Sequence, residues 1–562
     1  MFMMVRVILN LFVLLLICAD TSLAADAPDD SIVTRTADGQ VILRTRRPSG
    51  GVADFLPYAP DELLVRFKDS ASPTAKTTVH GRFKANTIKR FRHVNGLELV
   101  KLPRGASIEM TLKSYRDNRD VLYAEPNYLV EKLGVPNDPS FPLQWNLQNT
   151  GQSGGTPGAD IKAVEAWNIT TGSSNVVVAV IDTGIDYNHQ DLAANMWRNE
   201  ADCNNNGIDD DGNGYIDDCY GIDTFNDDSD PMDDNNHGTH VAGIIGAVGN
   251  NSLGVVGVNW NVKILACKFI GADGFGTTAD AIDCLEYVKT MKDRGVNIVA
   301  TNNSWGSYSY SQALYDAIEI QRQRGILLIA AAGNASLDND VAPFYPAGYY
   351  LPNVVSVAAT NSGDAPTGFT NYGRATVHVG APGQNIVSTT PGNTYSIFSG
   401  TSMASPHVAG LAALIKAQTL DIDWRATKNL ILTGGDDTLF LPYLTITGKR
   451  VNALGSLTCS NSVVVARFSP RESEVTTRVA PVNVSALHIN CANPNGDISV
   501  TVNPGNQTVA LRDDGVSPDQ VEGDGIYSGW WTPSSGGTHG KFVLGFPYQA
   551  GRGVQELAVM RR

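Results

Sequence analysis

The stretch Val176-Val-Val-Ala-Val-Ile181 sets the narrowest limit on what this chain can fold into. Consecutive apolar, mostly β-branched residues leave no polar face for water, so the strand they form is buried on both sides. Strands of that kind belong to parallel sheets covered by helices on each face. Residues 262–269, 296–300 and 326–331 repeat the pattern, and stretches with helical spacing at 239–247, 278–291, 311–324 and 402–418 alternate with them. The alternation predicts an α/β domain over residues 135–457, built on a doubly wound, mostly parallel sheet with its crevice at the carboxyl ends of the strands.

The flanks of the 562-residue chain read differently. Residues 1–24 have the form of a secretory signal peptide: Arg6, an apolar core over 7–17, and the small-residue site Ser22-Leu-Ala24. Large Leu16 and Ile17 precede Cys18, where a lipid-anchor site has small residues. The apolar core is too short to cross a bilayer and no later run is long enough, so a secreted, extracellular protein with no membrane span is expected. Residues 25–57 are polar and irregular. Strand-like 63–67, 97–102 and 121–128 and helix-like 74–83 and 108–115 then suggest a ferredoxin-like α+β unit with one strand not visible. Residues 25–134 therefore form a leader and pro-segment, with 130–139 as the linker. From 458 to 562 helical spacing vanishes, and alternating apolar residues between Asp-Gly and Pro-Asn-Gly turns predict an Ig-like β-sandwich.

A net charge of −15 leaves no basic surface for nucleic acid. Residues 26–134 hold 18 Lys+Arg against 14 Asp+Glu, a net +4, whereas 135–562 hold 23 against 42, a net −19. Segments of opposite sign attract one another. Removing the signal takes Cys18 and leaves six cysteines, an even number suited to disulfides in an oxidising compartment. Six cysteines allow 15 pairings. Nearness in sequence suggests Cys203–Cys219, Cys267–Cys284 and Cys459–Cys491. No Cys-x-x-Cys or Cys/His cluster points to a metal instead.

Three short motifs carry chemistry. Asp182 ends the first strand in Val180-Ile-Asp-Thr-Gly184, His237 leads an apolar helix in Asn236-His-Gly-Thr-His240, and Ser402 opens another in Gly400-Thr-Ser-Met-Ala404. Singly each has an ordinary reading: an aspartic-protease motif, a structural histidine, a serine N-cap. No second Asp-Thr/Ser-Gly in an apolar strand context supplies the partner that an aspartic protease needs. Together they give a carboxylate, an imidazole and a hydroxyl at strand or helix ends. A serine hydroxyl is a poor nucleophile until a base takes its proton, and the base must be held in one tautomer.

The order Asp…His…Ser is that of subtilisin, and across residues 137–452 the chain resembles the subtilisin-like serine proteases, the subtilases. The resemblance implies a secreted serine endopeptidase acting on peptides and proteins through an acyl-enzyme. It also implies an inhibitory pro-domain that the enzyme itself removes, and a monomer is expected. Asn334, in Ala330-Ala-Ala-Gly-Asn334, matches the side-chain donor of the family's oxyanion hole. Ser304, Trp305 and Gly306 match the edge strand lining the P1 pocket, and Gly274, Phe275 and Gly276 the strand facing it. Thr278 and Ala281 fall where the P4 pocket is walled, and Phe344, before Tyr345-Pro346, near the P1 floor. Asp191 and Asn251, with the carbonyls of Gly249, Leu253 and Val255, match the family's structural Ca²⁺ site.

The acidic stretch from Cys203 to Cys219 departs from short family members. Asp209, Asp211, Asn213, Gly214 and Asp217 fall at positions 1, 3, 5, 6 and 9 of an EF-hand loop, but Tyr220 stands at position 12. The stretch reads as a second Ca²⁺ site, with Asp218 to replace the missing glutamate, or as a solvated acidic loop. Asp513, Asp514, Asp519 and Asp524 suggest a further Ca²⁺ in the sandwich. A convertase specific for dibasic sites would need acidic residues beside the pocket strands, where none is evident. A subtilase lacking activity would be a Ca²⁺-dependent binding protein.

Overall fold

The computed structural model describes residues 31–35, 41–46, 52–55, 58–103, 106–128, 135–459, 462–469, 475–476, 481–491, 498–503, 505–519, 521–523, 525–532, 540–545 and 557–561. The expected signal peptide, residues 130–134 of the expected linker and Asp524 lie outside them. The chain divides into two compact units, Met1–Lys132 and Leu133–Arg562.

In the first unit, two helices, Pro73–Arg82 and Ile108–Arg116, accompany an antiparallel sheet in the order Asn86–Arg90, Leu97–Lys101, Tyr58–Phe67, Val121–Tyr128. This is the ferredoxin-like βαββαβ order. The strand hidden in the sequence is Asn86–Arg90, whose mostly exposed polar residues give no alternation to read. Over 25–57 the irregular leader gives way to antiparallel strands Ser31–Arg35, Val41–Arg46 and Val52–Phe55. Val33, Val41, Ile42 and Val52 supply the β-branched residues that favour pairing.

The second unit is organised around a nine-stranded sheet. In chain order its strands are β1 Gly172–Asp182, β2 Gly221–Asp223, β3 Asn261–Lys268, β4 Ile298–Asn303, β5 Leu327–Ala331, β6 Val354–Thr360, β7 Val379–Pro382, β8 Asp436–Asp437 and β9 Lys449–Arg450. They lie in the order β8-β9-β7-β6-β5-β4-β1-β3-β2, and every pairing but β8–β9 is parallel. The helices are α1 His237–Gly246, α2 Thr278–Asp293, α3 Gln312–Gln323, α4 Thr401–Gln418 and α5 Trp424–Gly434.

The burial expected of β1 follows from the pleat. Val176, Val178 and Val180 enter one core with α1 and α4, while Val177, Ala179 and Ile181 enter another with α2 and α3. Because β2 and β3 continue to one side of β1 and β4 to β7 to the other, the order reverses at β1. A crevice opens at its carboxyl end. Asp182 is its last residue.

Beyond residue 458 two sheets share a core that includes Val484, Val500, Val502, Leu511, Tyr527 and Trp531. Leu487 and Ile489 join the core on the α1 and α4 side instead. Asn429 donates to the Asn490 carbonyl at 3.1 Å, and Arg425 pairs with Glu522 at 3.1 Å. All three expected disulfides form, with Cα separations of 4.4, 5.8 and 6.2 Å.

Candidate active site

Asp182 is fully buried at the end of β1, and its Oδ1 accepts from His237 Nδ1 at 2.7 Å and from the Thr183 amide at 2.8 Å. His237 is the first residue of α1, with its side chain 27% exposed. The fit between the two elements depends on glycine. A Cβ on Gly238 would collide with the Gly184 carbonyl, and Gly184 holds φ +99°, a conformation glycine adopts readily. Burial lowers the His237 pKa, but the Asp182 charge and hydrogen bond, with the Asp233 charge, outweigh it and raise it above the ordinary value.

Ser402 lies in the first turn of α4, with free backbone donors beside it. Pro406, inside the helix, has no N–H to give the Ser402 carbonyl four residues back. Ser304 Oγ supplies the missing donor at 2.9 Å, and Ser402 Oγ in turn donates to the Ser304 carbonyl at 3.1 Å. The serine is thereby tied to the end of β4, and no hydrogen bond among the described residues joins it to His237.

Asn334 follows β5 and is exposed. Its Oδ1 accepts from the Thr401 amide at 2.8 Å and the Thr401 hydroxyl at 2.9 Å, which leaves Nδ2 as the free end. A Cβ on Gly400 would stand 3.5 Å from Asn334 Nδ2 and 3.6 Å from the Ser402 amide, so both donors border one small space. Asp182, His237, Ser402 and Asn334 thus occupy the carboxyl-end loops of β1 and β5 and the first turns of α1 and α4.

Ser304, Trp305 and Gly306 run on past β4 without a ladder partner. The segment expected to face them is not a strand. Gly271 donates to the Phe275 carbonyl at 2.9 Å and closes a turn, with Gly274 at φ +83° and Phe275 74% exposed. Gly276 follows it, packed against the Phe269 carbonyl. Turn geometry defeats the strand expectation because Asp273 Oδ1 also accepts from the Phe275 amide at 3.1 Å. Phe344 lies against both glycines: a Cβ on Gly306 would strike its ring, and one on Gly333 would stand 3.2 Å from it. Tyr308 packs edge-on to that ring, centroids 5.0 Å apart. Ala281, in the first turn of α2, is buried, so of the two P4 candidates only Thr278 is exposed.

Asp191 is fully buried and accepts from Asn251 Nδ2 at 2.7 Å and the Val255 amide at 3.0 Å. No donor among the described residues reaches the carbonyls of Gly249, Leu253 or Val255. A second carboxylate, Asp138, escaped the sequence reading. It is 2% exposed, accepts from the Asn250 amide at 2.8 Å, and its pKa is raised by burial and by the Asp191 charge. Two buried carboxylates that repel one another beside three undonated carbonyls form an oxygen-rich set suited to a hard cation. Asn251 turns its Oδ1 to the Leu253 amide, 2.8 Å away. A 180° turn of the amide exchanges its oxygen and nitrogen.

In the acidic insert the gathering differs from the motif. Asp209 and Asp211 converge with Asp202, their carboxylate oxygens all within 4.8 Å. Asp217 turns away to accept from the Asn206 and Gly207 amides at 3.0 and 2.7 Å, and Asn213 Nδ2 donates to Asp218 at 2.8 Å. Asp218 is fully buried and accepts from Tyr287 and Asn199 as well. It is thus committed to the protein rather than free to replace the missing glutamate. Arg294 already pairs with Asp211 at 3.1 Å. Beyond residue 458, Asp513, Asp514 and Asp519 cap the amides of Gly523, Val516 and Gly515, so these carboxylates close turns.

Two family models match the chain: the subtilase family over residues 173–446 and the fervidolysin N-terminal prodomain over 53–127. The thermophilic serine proteinase of Bacillus sp. (strain AK1) is 36% identical over 363 residues, which cover 64% of this chain and 79% of that protein. Subtilisin-like protease 1 of Plasmodium berghei (strain Anka) is 39% identical over 343 residues, 58% of this chain. The chain spans only 54% of that relative's length. A cold adapted subtilisin-like serine proteinase of known crystal structure is 30% identical, with 50% of this chain and 90% of that one covered at a TM-score of 0.41.

Proposed function

The chain belongs to the subtilase family and is a serine endopeptidase made with a prodomain, and from that premise we propose that it is a secreted, autoprocessed enzyme acting through Asp182, His237, Ser402 and Asn334. One observation carries the assignment of roles: the 2.7 Å bond from His237 Nδ1 to buried Asp182, between residues 55 apart in sequence. With Nδ1–H so engaged, Nε2 carries the lone pair that takes the Ser402 proton. Rotation about the Ser402 side chain frees Oγ from the Ser304 carbonyl. Oγ then attacks the substrate carbonyl, and Asn334 Nδ2 and the Ser402 amide receive the oxyanion. His237 returns the proton to the leaving amine, Asp182 stabilises the imidazolium, and water releases the acyl group.

Substrate binds as an extended chain on the unpaired backbone of 304–306, so main-chain contacts dominate affinity. Phe344 between Gly306 and Gly333 shortens the P1 pocket and favours small P1 residues. A P1-varied peptide library tests both activity and selectivity. Alanine or similar P1 residues should be cleaved best, and Phe344→Gly should raise relative kcat/KM for Phe or Leu about tenfold or more. Highest wild-type turnover on aromatic P1 would sink the pocket assignment, and no cleavage of any peptide would sink the activity.

Asp138 and Asp191, with the Gly249, Leu253 and Val255 carbonyls and Asn251, would hold Ca²⁺, which would balance the charge of the two buried carboxylates. The Asp202, Asp209 and Asp211 group is a weaker second candidate, since Arg294 offsets part of its charge. A chelator should lower Tm by about 5–10 °C in the wild type. Asp191→Ala should start from the lowered value and show no further drop. A wild-type Tm unmoved by chelator removes the cation from the account. N-terminal sequencing of protein from the culture medium checks secretion and places the maturation cut.

A further inference from the structure

The carboxylate of Asp233 has no place in the mechanism above, yet it lies among the parts that do. It is 5% exposed and has no cationic partner among the described residues. It receives five hydrogen bonds: from Thr183 Oγ1 at 2.9 Å, the amides of Asn235 and Asn236 at 2.9 and 3.0 Å, and the Thr239 amide and hydroxyl at 2.9 and 2.6 Å.

Those donors belong to two elements. Thr183, next to Asp182, donates to Asp233 and accepts from the Gly238 amide at 2.9 Å, next to His237. Thr239, in the first turn of α1, donates to Asp233 and accepts from the Asp186 amide at 2.9 Å. Each threonine hydroxyl therefore bridges the exit of β1 to the start of α1 through this one carboxylate. Asn236, at the cap of α1, makes no side-chain cap of its own, so Asp233 also closes the helix end.

Resting on the serine-protease reading above, we propose that Asp233 is a positioning residue for the catalytic pair: it locks the exit of β1, next to Asp182, to the turn carrying His237 and holds a second negative charge at that turn. A cap alone would need only a neutral acceptor, since Ser, Thr and Asn cap helices as well as Asp does. A buried carboxylate without a counterion is costly to keep. The imidazolium that forms during the reaction is the cation it stabilises.

The charges around His237 are consistent with this. Asp182 faces it from β1 and Asp233 from the loop before α1, both favouring the proton. His240, one turn along α1, stays neutral because burial pushes its pKa down to about 3. Lys268, from β3, is nearly fully buried and donates to the Thr183 carbonyl at 3.1 Å, but Asp234 pairs with it at 2.7 Å.

The test is Asp233→Asn in the full chain, with kcat, KM and the pH profile of kcat/KM measured on one peptide. Removing the charge while keeping an acceptor should move the acid limb to lower pH and reduce kcat by about ten- to a hundredfold, with KM changed less than threefold. Asp233→Glu should keep the acid limb near its wild-type position. The second arm needs no turnover, so it is independent of any effect of Asp233→Asn on maturation. His237 is titrated by NMR in the Ser402→Ala chain with and without Asp233→Asn, its signal identified by His237→Ala. A lower His237 titration midpoint supports the proposal. An unmoved midpoint and acid limb, with activity loss tracking a lower Tm, overturn it and leave Asp233 a structural cap. Inactivity of the wild type would count against the protease reading alone, since the NMR arm stands without it.

Discussion

Ser402→Ala should abolish peptide hydrolysis and leave the chain at full length, whereas the wild type should shorten near residue 132. The expected loss in kcat is on the order of 10⁶-fold, the size seen when the nucleophile is removed from subtilisin, a member of this family. Folding should survive. Ser402 is half-buried, and its hydroxyl makes one hydrogen bond, to the Ser304 carbonyl. Losing such a bond costs about 1 kcal/mol. Circular dichroism and Tm separate inactivity from unfolding. His237→Ala combined with Ser402→Ala should be little worse than either alone, because base and nucleophile act as a unit. Mixing the variant with active wild type should cut it in trans, which shows that the junction remains accessible. If Ser402→Ala alone still hydrolyses peptide above about one per cent of wild type, or still shortens, Ser402 is not the nucleophile.

The candidate site was legible in the sequence where local pattern and site coincide. Asp182 ends an apolar run whose burial on both faces was readable residue by residue, and the structure divides that run between two cores. His237 and Ser402 stand at helix starts that periodicity locates to within two residues. What escaped has no periodicity of its own. Asp138 and Asp233 sit in loops, and only folding brings them against Asp191 and Thr183. Val379–Pro382 is a fully buried strand, but its Gly380 and Pro382 break the run of β-branched residues that marks the others. Adjacent Asp217 and Asp218 look interchangeable in the acidic stretch. One caps exposed amides and the other is buried under Tyr287, a difference set by residues far along the chain. Motif spacing therefore named the insert's acidic character but not which oxygens meet.

Replacing Asn334 by Leu should lower kcat by about 10²–10³-fold, the range measured for the equivalent donor in subtilisin, while KM changes less than about threefold. The split follows from where the donor points. Asn334 Oδ1 is occupied by Thr401, so Nδ2 faces the space that it shares with the Ser402 amide. A trigonal substrate carbonyl carries little charge and gains little from that donor, whereas the tetrahedral oxyanion gains fully, so the loss appears in kcat. Leu also removes the acceptor for the Thr401 amide, which costs about 1 kcal/mol of local stability. Thr401→Val is the control. It removes the hydroxyl bond to Oδ1 but keeps the amide bond, so it loosens Asn334 without deleting Nδ2. Its kcat should fall by less than about tenfold. A loss carried mainly by KM in Asn334→Leu would mean that Nδ2 grips the substrate rather than the oxyanion. A loss equal to that of Thr401→Val would mean that Asn334 only braces the start of α4.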